Sequence, residues 1–197
     1  MVNRIQIASP NLGEEEIEAL RHPIQSGWLT QGPYVKEFEN KFAEMHNVKY
    51  ALATTSCTTA LHLMLAASGI GPGDEVIVPS FTWISTANAV LYCGATPIFV
   101  DIDLNTYNIN LEETIKKLSS KTKAVVVVDL FGLCVDIQNF RKHLGGEILI
   151  FEDAACASGG SINGHMAGSI SDAAAFSFHP RKSITTGEGG MLVTNNE

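Results

Sequence analysis

The stretch "KAVVVVDLFG" at residues 123–132 is almost continuously apolar up to Asp129, and it decides the fold class. A strand with one solvated face alternates apolar and polar residues, whereas a strand covered on both faces is apolar throughout. Residues 123–132 therefore predict a central strand with helices on both sides. Ligands of such sheets bind beside the carboxyl ends of the strands. Asp129 is accordingly predicted either to contact a substrate or to be a solvated residue at the edge.

Outward from this strand, short β-branched runs alternate with amphipathic segments. Further strands are predicted at residues 75–79, 96–103, 147–155, 172–178 and 190–194. Helices are predicted at residues 34–46, 58–69 and 80–94, and after residues 110 and 136. The β-α-β-α-β order predicts an α/β fold, a mainly parallel sheet with helices on both faces in a three-layer α/β/α arrangement.

Several helix ends and faces carry specific signals. Ser80 is predicted to cap the helix that Gly94 ends, and Asn110 with Glu113 resembles a capping box. A further helix is predicted to begin near Asp136. The apolar face of the helix over residues 34–46 is predicted to consist of Val35, Phe38, Phe42 and Met45.

The composition excludes several classes of protein. The chain has 197 residues, 13 basic against 21 acidic, and a formal net charge of −8, which disfavours nucleic acids and anionic membranes as partners. No apolar run is long enough to span a membrane, and no leader pattern precedes the first polar turn. The four cysteines are scattered at Cys57, Cys93, Cys134 and Cys156, as expected of reduced thiols in the cytosol. We therefore expect a soluble, cytoplasmic protein. Because the chain stops directly after a predicted strand, we also expect it to be a fragment.

A hydroxyl-rich turn precedes the helix predicted from residue 58. Ser56, Cys57, Thr58 and Thr59 lie where the opening turn of a helix leaves backbone N–H groups unpaired and positively polarised. Such a turn can bind a phosphate group. A plain N-cap is the alternative, and this stretch taken alone favours it. The Walker and G-x-G-x-x-G patterns are absent, which argues against nucleoside triphosphates and dinucleotides.

Two carboxylates, Glu152 and Asp153, end the apolar strand predicted over residues 147–155. At least one of them is expected at the ligand-binding edge of the sheet. A buried carboxylate needs a cation or hydrogen-bond donors, which favours a role as the partner of a cationic ring nitrogen or a metal ion. The equally weighted alternative is a helix N-cap or a charge at the edge of the sheet. The six histidines show no ligand spacing with one another or with the acids, and we predict no metal site.

Lys182 lies in "SFHPRKSITTGEGG" (residues 177–190), in a loop beyond the strand predicted over residues 172–178. Lys182 and Asp153 both follow strands and can reach the same edge of the sheet. Trp83, near the start of a helix, can form one wall of the same crevice. A phosphate-binding turn, a carboxylate for a ring nitrogen, an aromatic wall and a lysine are the parts that pyridoxal 5′-phosphate (PLP) requires. The alternative for Lys182 alone is a solvated loop lysine.

Four segments of the sequence resemble the PLP-dependent nucleotide-sugar aminotransferases, which have the aspartate-aminotransferase-like fold. They are "SFHPRKSITTGEGG", "EDAA", "PSFTWISTANAV" and "GPGDEVIVP". The resemblance extends from Gly27 to Thr194, and the segment around Lys182 is its most specific part. It implies an N-terminal segment and substrate-side loop over residues 1–30, an incomplete PLP-binding large domain over residues 31–197, and no C-terminal small domain.

The resemblance implies a role for each matching residue. Lys182 would bind the cofactor covalently and then move a proton between the substrate carbon and the cofactor. Asp153 would pair with the pyridine nitrogen, and Trp83 would stack on the ring. The phosphate would be held by Ser56, Cys57, Thr58 and Ser177, partly through main-chain N–H groups. The substrate-side loop would contain Trp28, Leu29, Thr30 and Gln31.

Two positions depart from the pattern that the resemblance implies. Many members have Gly or Ala in place of Cys57, a change that a main-chain contact survives. Many members also have Gln in place of Cys156, near the phenolic oxygen of the cofactor. A thiol replaces an amide donor poorly, so Cys156 is expected to pack as a small buried residue.

The implied reaction is transamination of a nucleotide-linked keto-sugar, with glutamate as the amino donor, in a homodimer. Relatives that have His in place of Lys182 dehydrate sugars, so the lysine favours amine transfer. Other PLP chemistry on the same fold and a non-catalytic scaffold are the alternatives. We expect little activity from these 197 residues alone, because the family's small domain and second subunit complete its sites.

Overall fold

The computed structural model of the chain describes residues 8–197. The helices are α1 (Glu14–Ser26), α2 (Pro33–His46), α3 (Cys57–Ala67), α4 (Ser85–Tyr92), α5 (Leu111–Lys116) and α6 (Ile137–Leu144). The strands are β1 (Tyr50–Thr54), β2 (Glu75–Pro79), β3 (Thr96–Val100), β4 (Thr122–Val128), β5 (Leu149–Asp153), β6 (Ser161–Ile162), β7 (His165–Met166), β8 (Ala173–Ser177) and β9 (Gly190–Thr194).

Seven of the strands form one sheet in the order β1-β9-β8-β5-β4-β2-β3. The neighbours from β8 to β3 pair in parallel, and β9 runs antiparallel to both β1 and β8. The short β6 and β7 form a separate antiparallel pair. The predicted α/β class with a mainly parallel sheet is confirmed.

Strand β4 lies at the centre of the fold, as its apolar run predicts. Ala124 and Val126 pack into the core beneath α3 and α4. Val125 and Val127 pack on the opposite face, against α6. All four are fully buried, which explains why this strand carries no polar alternation.

The helix caps confirm some expectations and correct another. Asp136 caps α6, with its carboxylate accepting the Asn139 N–H at 3.0 Å. Asn110 caps α5, but the Glu113 carboxylate turns to Lys116 at 2.7 Å, so the capping box is only half formed. The prediction that Ser80 caps α4 is wrong.

Ser80 continues the strand that precedes it instead of starting a helix. Its N–H donates to the Val100 carbonyl at 2.8 Å, which extends the pairing of β2 with β3 by one residue. Helix α4 therefore begins only at Ser85 and ends at Tyr92, shortly before Gly94 at φ 75°. This later start leaves a short loop between β2 and α4, and Trp83 lies in that loop.

Helix α2 turns the predicted face inward except at its last position. Phe42 is buried, but Met45 is 45% exposed, and His46 takes the inward position. The His46 ring stacks on Phe42, and its Nδ1 lies 2.8 Å from the Ala167 carbonyl oxygen. The apolar periodicity did not indicate a buried histidine, because its hydrogen-bond partner lies far away in the sequence.

Helix α1 was not predicted, although its ends carry ordinary signals. Three glutamates occupy its first turn, and the Gly13 N–H donates to Glu16 Oε2 at 2.7 Å. Gly27, at φ 72°, ends the helix in the left-handed conformation. None of the helix is buried, so it lacks the core-facing stripe on which helix prediction depends.

Strand β9 passes very close to the start of α3. A Cβ added to Gly190 would lie only 2.6 Å from the Cys57 backbone nitrogen. No side chain fits in this gap, so glycine is required at position 190. Within residues 8–197, no helix is both long and apolar enough to cross a membrane.

Candidate active site

A cavity of 350 Å³ opens at the carboxyl edge of the sheet. It lies between the start of α3, the loop before α4, the end of β5 and the loop that joins β8 to β9. Eight residues with a predicted cofactor role line it: Ser56, Cys57, Thr58, Trp83, Asp153, Cys156, Ser177 and Lys182. The structure therefore brings these side chains together from segments that are far apart in the sequence.

The N-terminus of α3 forms one end of the cavity. Ser56 caps the helix, because its Oγ accepts the Thr59 N–H at 3.2 Å while the Thr59 hydroxyl accepts the Ser56 N–H at 3.0 Å. The N–H groups of Cys57 and Thr58 have no acceptor among the described residues. The cap and the anion-binding turn are thus compatible, since capping leaves these two donors available to an anion.

Asp153 is a buried carboxylate of the cavity, with 4% of its surface exposed. Its Oδ2 accepts the Thr86 hydroxyl at 2.7 Å, and its Oδ1 accepts the Ala155 N–H at 3.3 Å. Burial raises the pKa of Asp153, while the Thr86 hydroxyl, the Ala155 N–H and the positive charge of Lys182 act in the opposite direction. Among the described residues, no cationic nitrogen lies within ion-pair distance of this carboxylate.

Lys182 reaches into the cavity from the loop after β8. Its Nζ donates to Cys156 Sγ at 3.1 Å, and its backbone N–H donates to the His179 carbonyl at 2.9 Å. Cys156 is exposed, so the expectation that it packs as a buried residue is wrong. The tight turn after β5 buries Ala154 and Ala157, and the two residues between them, Ala155 and Cys156, line the cavity.

The exposure of Cys156 predicts that its thiol is alkylated before the thiols of the other three cysteines. Under limiting iodoacetamide, we expect Cys156 to be modified first, because it is the exposed cysteine of the four. Burial raises the pKa of Cys57 well above its usual value and that of Cys134 to about 12, which keeps both as unreactive thiols. Peptide mass spectrometry measures the order of labelling.

A Cys156→Ser variant is the matched control and should lose the fast label. Faster labelling of Cys57 or Cys134 in the unsubstituted protein would contradict the geometry of the cavity. Preincubation with a ligand that occupies the cavity should slow the modification of Cys156, because this thiol lines the cavity.

The two tryptophans with a predicted role lie in different places, since Trp83 lines the cavity and Trp28 does not. Trp83 lies two residues before α4 and lines the cavity, with 77% of its surface exposed. The predicted substrate-side loop does not reach the cavity. Trp28, Leu29 and Thr30 line a separate shallow pocket, and Trp28 Nε1 donates to the Gln31 carbonyl at 2.5 Å.

Several residues of the cavity were missed by sequence reasoning. Ser85 accepts the Thr58 hydroxyl at 2.9 Å, and buried Thr86 binds Asp153. Both residues lie in the first turn of α4, shortly after Trp83. Their closeness in sequence to Trp83 was the only sign that they belong to the site. Asp129 also lines the cavity and is 1% exposed, which excludes the solvated-edge interpretation.

Fold and cavity together define a class of protein. A three-layer α/β chain with a lysine, a buried carboxylate and a helix N-terminus at the carboxyl edge of its sheet is typical of PLP-dependent transferases with the aspartate-aminotransferase-like fold. Residues 10–197 match the model of the DegT/DnrJ/EryC1/StrS aminotransferase family. The chain belongs to this family.

Curated relatives cover nearly all of the chain. The chain is 44% identical over 199 residues to the GDP-perosamine synthase of Caulobacter vibrioides. The matched region covers 98% of this chain and 53% of that protein. The chain is also 46% identical over 189 residues to the spore coat polysaccharide biosynthesis protein SpsC of Bacillus subtilis, covering 95% of this chain and 49% of that protein. The chain spans about half the length of the curated relatives it matches.

Solved structures have the same fold. A putative sugar aminotransferase from Streptococcus pneumoniae, in its PMP form, superposes with a TM-score of 0.93 at 32% identity, covering 98% of this chain and 53% of that one. An E. coli GDP-4-keto-6-deoxy-D-mannose-3-dehydratase with bound hydrated PLP gives a TM-score of 0.93 at 35% identity, covering 98% and 52%.

Proposed function

We propose that the protein containing this chain uses PLP to transfer an amino group from glutamate to the keto group of a nucleotide-linked sugar. One observation carries the proposal. The buried Asp153 carboxylate has no ion-pair partner among the described residues and faces the same cavity as Lys182. A buried carboxylate of this kind is suited to a cationic partner that arrives with a ligand.

The donor set of the cavity fits PLP. The two free N–H groups at the start of α3, with the Ser177 hydroxyl nearby, suit a phosphate. Lys182 supplies an amine for the aldehyde, and Asp153 supplies an anion for the pyridine nitrogen. Trp83 supplies an aromatic face for the ring. When bound, PLP acts as an electron sink that stabilises negative charge on the substrate carbon.

The residues of this chain have separate tasks in that chemistry. With PLP in the cavity, Lys182 would be the base and acid that moves a proton at the substrate carbon. Asp153 would keep a positive charge on the ring nitrogen, because a buried carboxylate is stabilised by a neighbouring cation. The Thr86 hydroxyl and the Ala155 N–H hold Asp153 in place.

The names of the relatives favour a nucleotide sugar as the substrate. The name GDP-perosamine synthase contains both a GDP group and an amine. The structural similarity to a sugar 3-dehydratase keeps dehydration as a second candidate. Lys182 favours transamination, because the family resemblance implies a histidine in place of this lysine in members that dehydrate sugars.

We further propose that residues 31–197 form the PLP-binding large domain and that residues 1–30 contribute to the substrate side. The family resemblance favours a homodimer that works in the cytoplasm, with Trp28, Leu29, Thr30 and Gln31 reaching a substrate in the assembled enzyme. Their distance from the cavity within one chain agrees with a contribution to another part of the assembly.

The test is the absorption spectrum of the purified protein after loading with PLP, recorded before and after glutamate is added. We expect a visible band from covalently bound cofactor, which glutamate converts to the ultraviolet band of the aminated form. Addition of a nucleotide-linked keto-sugar should then restore the first band. No visible band, or a band that glutamate leaves unchanged, would reject the proposal.

A further inference from the structure

Asp129 and Glu152 form a pair of carboxyl groups buried beside the cavity, each 1% exposed. They meet because β4 and β5 pair in parallel, with Val127 opposite Glu152 and Val128 opposite Asp153. Asp129 continues β4 by one residue, and its N–H donates to the Asp153 carbonyl at 3.1 Å. Side chains alternate along a strand, so Asp129 projects to the same side as Glu152, close enough for the negative charge of Glu152 to raise the pKa of Asp129.

Within residues 8–197, the pair leaves one buried oxygen without a hydrogen bond. Glu152 Oε1 accepts the Gly168 N–H at 3.0 Å. Asp129 Oδ1 accepts one N–H, from Val135, at 2.9 Å, and its buried Oδ2 has no donor among the described residues. Two ionised carboxylates in contact repel each other strongly when buried. A single proton on Asp129 Oδ2, donated to Glu152, satisfies both groups.

Asp129 connects the segments that carry the cavity. Its backbone contacts Asp153, and its side chain closes the loop 130–134 by binding the Val135 N–H. This loop contains Phe131 at φ 56° and Gly132 at φ 90°. A Cβ at Gly132 would lie 3.1 Å from the Cys156 carbonyl oxygen, so the loop packs directly on the turn between Asp153 and Cys156.

We propose that Asp129 is a positioning residue that holds a proton. Its neutral carboxyl group donates a hydrogen bond to Glu152 and so fixes the loop 130–135 against the segment carrying Asp153 and Cys156. The role of Asp129 goes beyond the proposed transamination, because it describes how the chain maintains the cavity. It applies whichever ligand the cavity binds.

The charged and titratable surroundings agree with a neutral Asp129. Burial, followed by the negative charge of Glu152, raises the pKa of Asp129 well above its usual value, and Asp153 adds to the rise. Cys134, the thiol facing the pair, is kept protonated by its own burial and by the two acids, which raise its pKa to about 12. The Val135 N–H acts in the opposite direction on Asp129.

The sign of the pH dependence follows from this direction. The folded state binds the proton of Asp129 more tightly than the unfolded state does. The contribution of protonated Asp129 to the free energy of unfolding is therefore complete below the pKa of an aspartate in the unfolded chain. It is lost as the pH rises through the raised pKa of Asp129 in the folded state. Above that pH, two negative charges share the buried site and the loop 130–135 loosens.

Infrared spectroscopy of the purified protein tests the proposal directly. We expect a carboxylic-acid C=O band near neutral pH that shifts in D₂O, and we expect Asp129→Asn to remove one such band. Because asparagine keeps a donor toward Glu152, this variant should fold and should lose less stability than the unsubstituted protein as the pH is raised. The protection factors of the amides over residues 130–135, which are corrected for the intrinsic rise of exchange with pH, should fall at high pH in the unsubstituted protein only.

A second variant keeps the test decisive if Asp129→Asn fails to fold. Glu152→Gln removes the negative neighbour, so the acid band of Asp129 should titrate at a lower pH. An acid band that is identical in the unsubstituted protein and in Asp129→Asn would overturn the proposal. So would a Glu152→Gln band that titrates at the original pH. Both measurements are made without cofactor, so they can fail independently of the proposed transamination.

Discussion

Replacement of Lys182 by alanine should remove both the visible band of bound PLP and the transamination of a keto-sugar. Lys182 is the one lysine lining the cavity within residues 8–197, and its amine lies at the level of Cys156 beside the sheet edge. The loss of the proton-transfer group alone typically lowers turnover by about 10²- to 10⁴-fold. The loss of covalent attachment adds to that reduction. Absorption spectra and steady-state turnover with glutamate measure the two effects separately.

Lys121→Ala is the matched control, because Lys121 is an exposed lysine outside the cavity. It should keep the cofactor band and full turnover. A Lys182→Ala variant that retains turnover would mean that another group carries the proton. In that case, Lys182 would be the solvated loop lysine that the sequence left open.

The second large effect is expected for Asp153→Asn. Asparagine has nearly the same shape and can still accept the Thr86 hydroxyl, so the fold should survive. It carries no negative charge, so it cannot keep the ring nitrogen of PLP protonated. A preorganised electrostatic contact of this kind is worth about 10²- to 10³-fold in turnover. Cofactor should still attach to Lys182, and the deficit should appear in turnover.

Asp101→Asn is the control for Asp153→Asn, since Asp101 is exposed and its carboxylate accepts the neighbouring Ile102 N–H at 2.8 Å, a bond that an asparagine oxygen can keep. Turnover should be unchanged in this variant. If Asp153→Asn also kept full turnover with the cofactor bound, Asp153 would have a structural role only. Unfolding measured by circular dichroism distinguishes a loss of fold from a loss of chemistry.

The features of the fold that the sequence predicted depend on local periodicity. The run at residues 124–128 is apolar because helices cover both of its faces. Asp136 and Asn110 cap their helices, because each side chain accepts the backbone N–H of the residue three positions further along the chain. Such signals are contained within a few neighbouring positions, so a single sequence reveals them. The positions of Asp153 and Lys182 at one edge followed from the parallel strand order.

What the sequence could not predict depends on partners that are distant along the chain. Ser80 resembles a cap until Val100 takes its N–H, and His46 resembles a solvated residue until Ala167 supplies a carbonyl. The bond from Thr86 to Asp153 crosses from α4 to β5 in the same way. Cys156 was expected in the core because cysteine is usually a buried residue type. The residue type does not show in which direction a turn orients the side chain.

The close approach of Gly190 to Cys57 has a consequence for biosynthesis. The turn at the start of α3 is synthesised early in translation, yet the backbone that packs against it belongs to β9. A ribosome-bound chain that has not yet released Gly190 therefore presents the turn without its support. Competence to bind a phosphate at this turn should arise only when the antiparallel strand inserts between β1 and β8, so that ligand binding reports completion of the sheet.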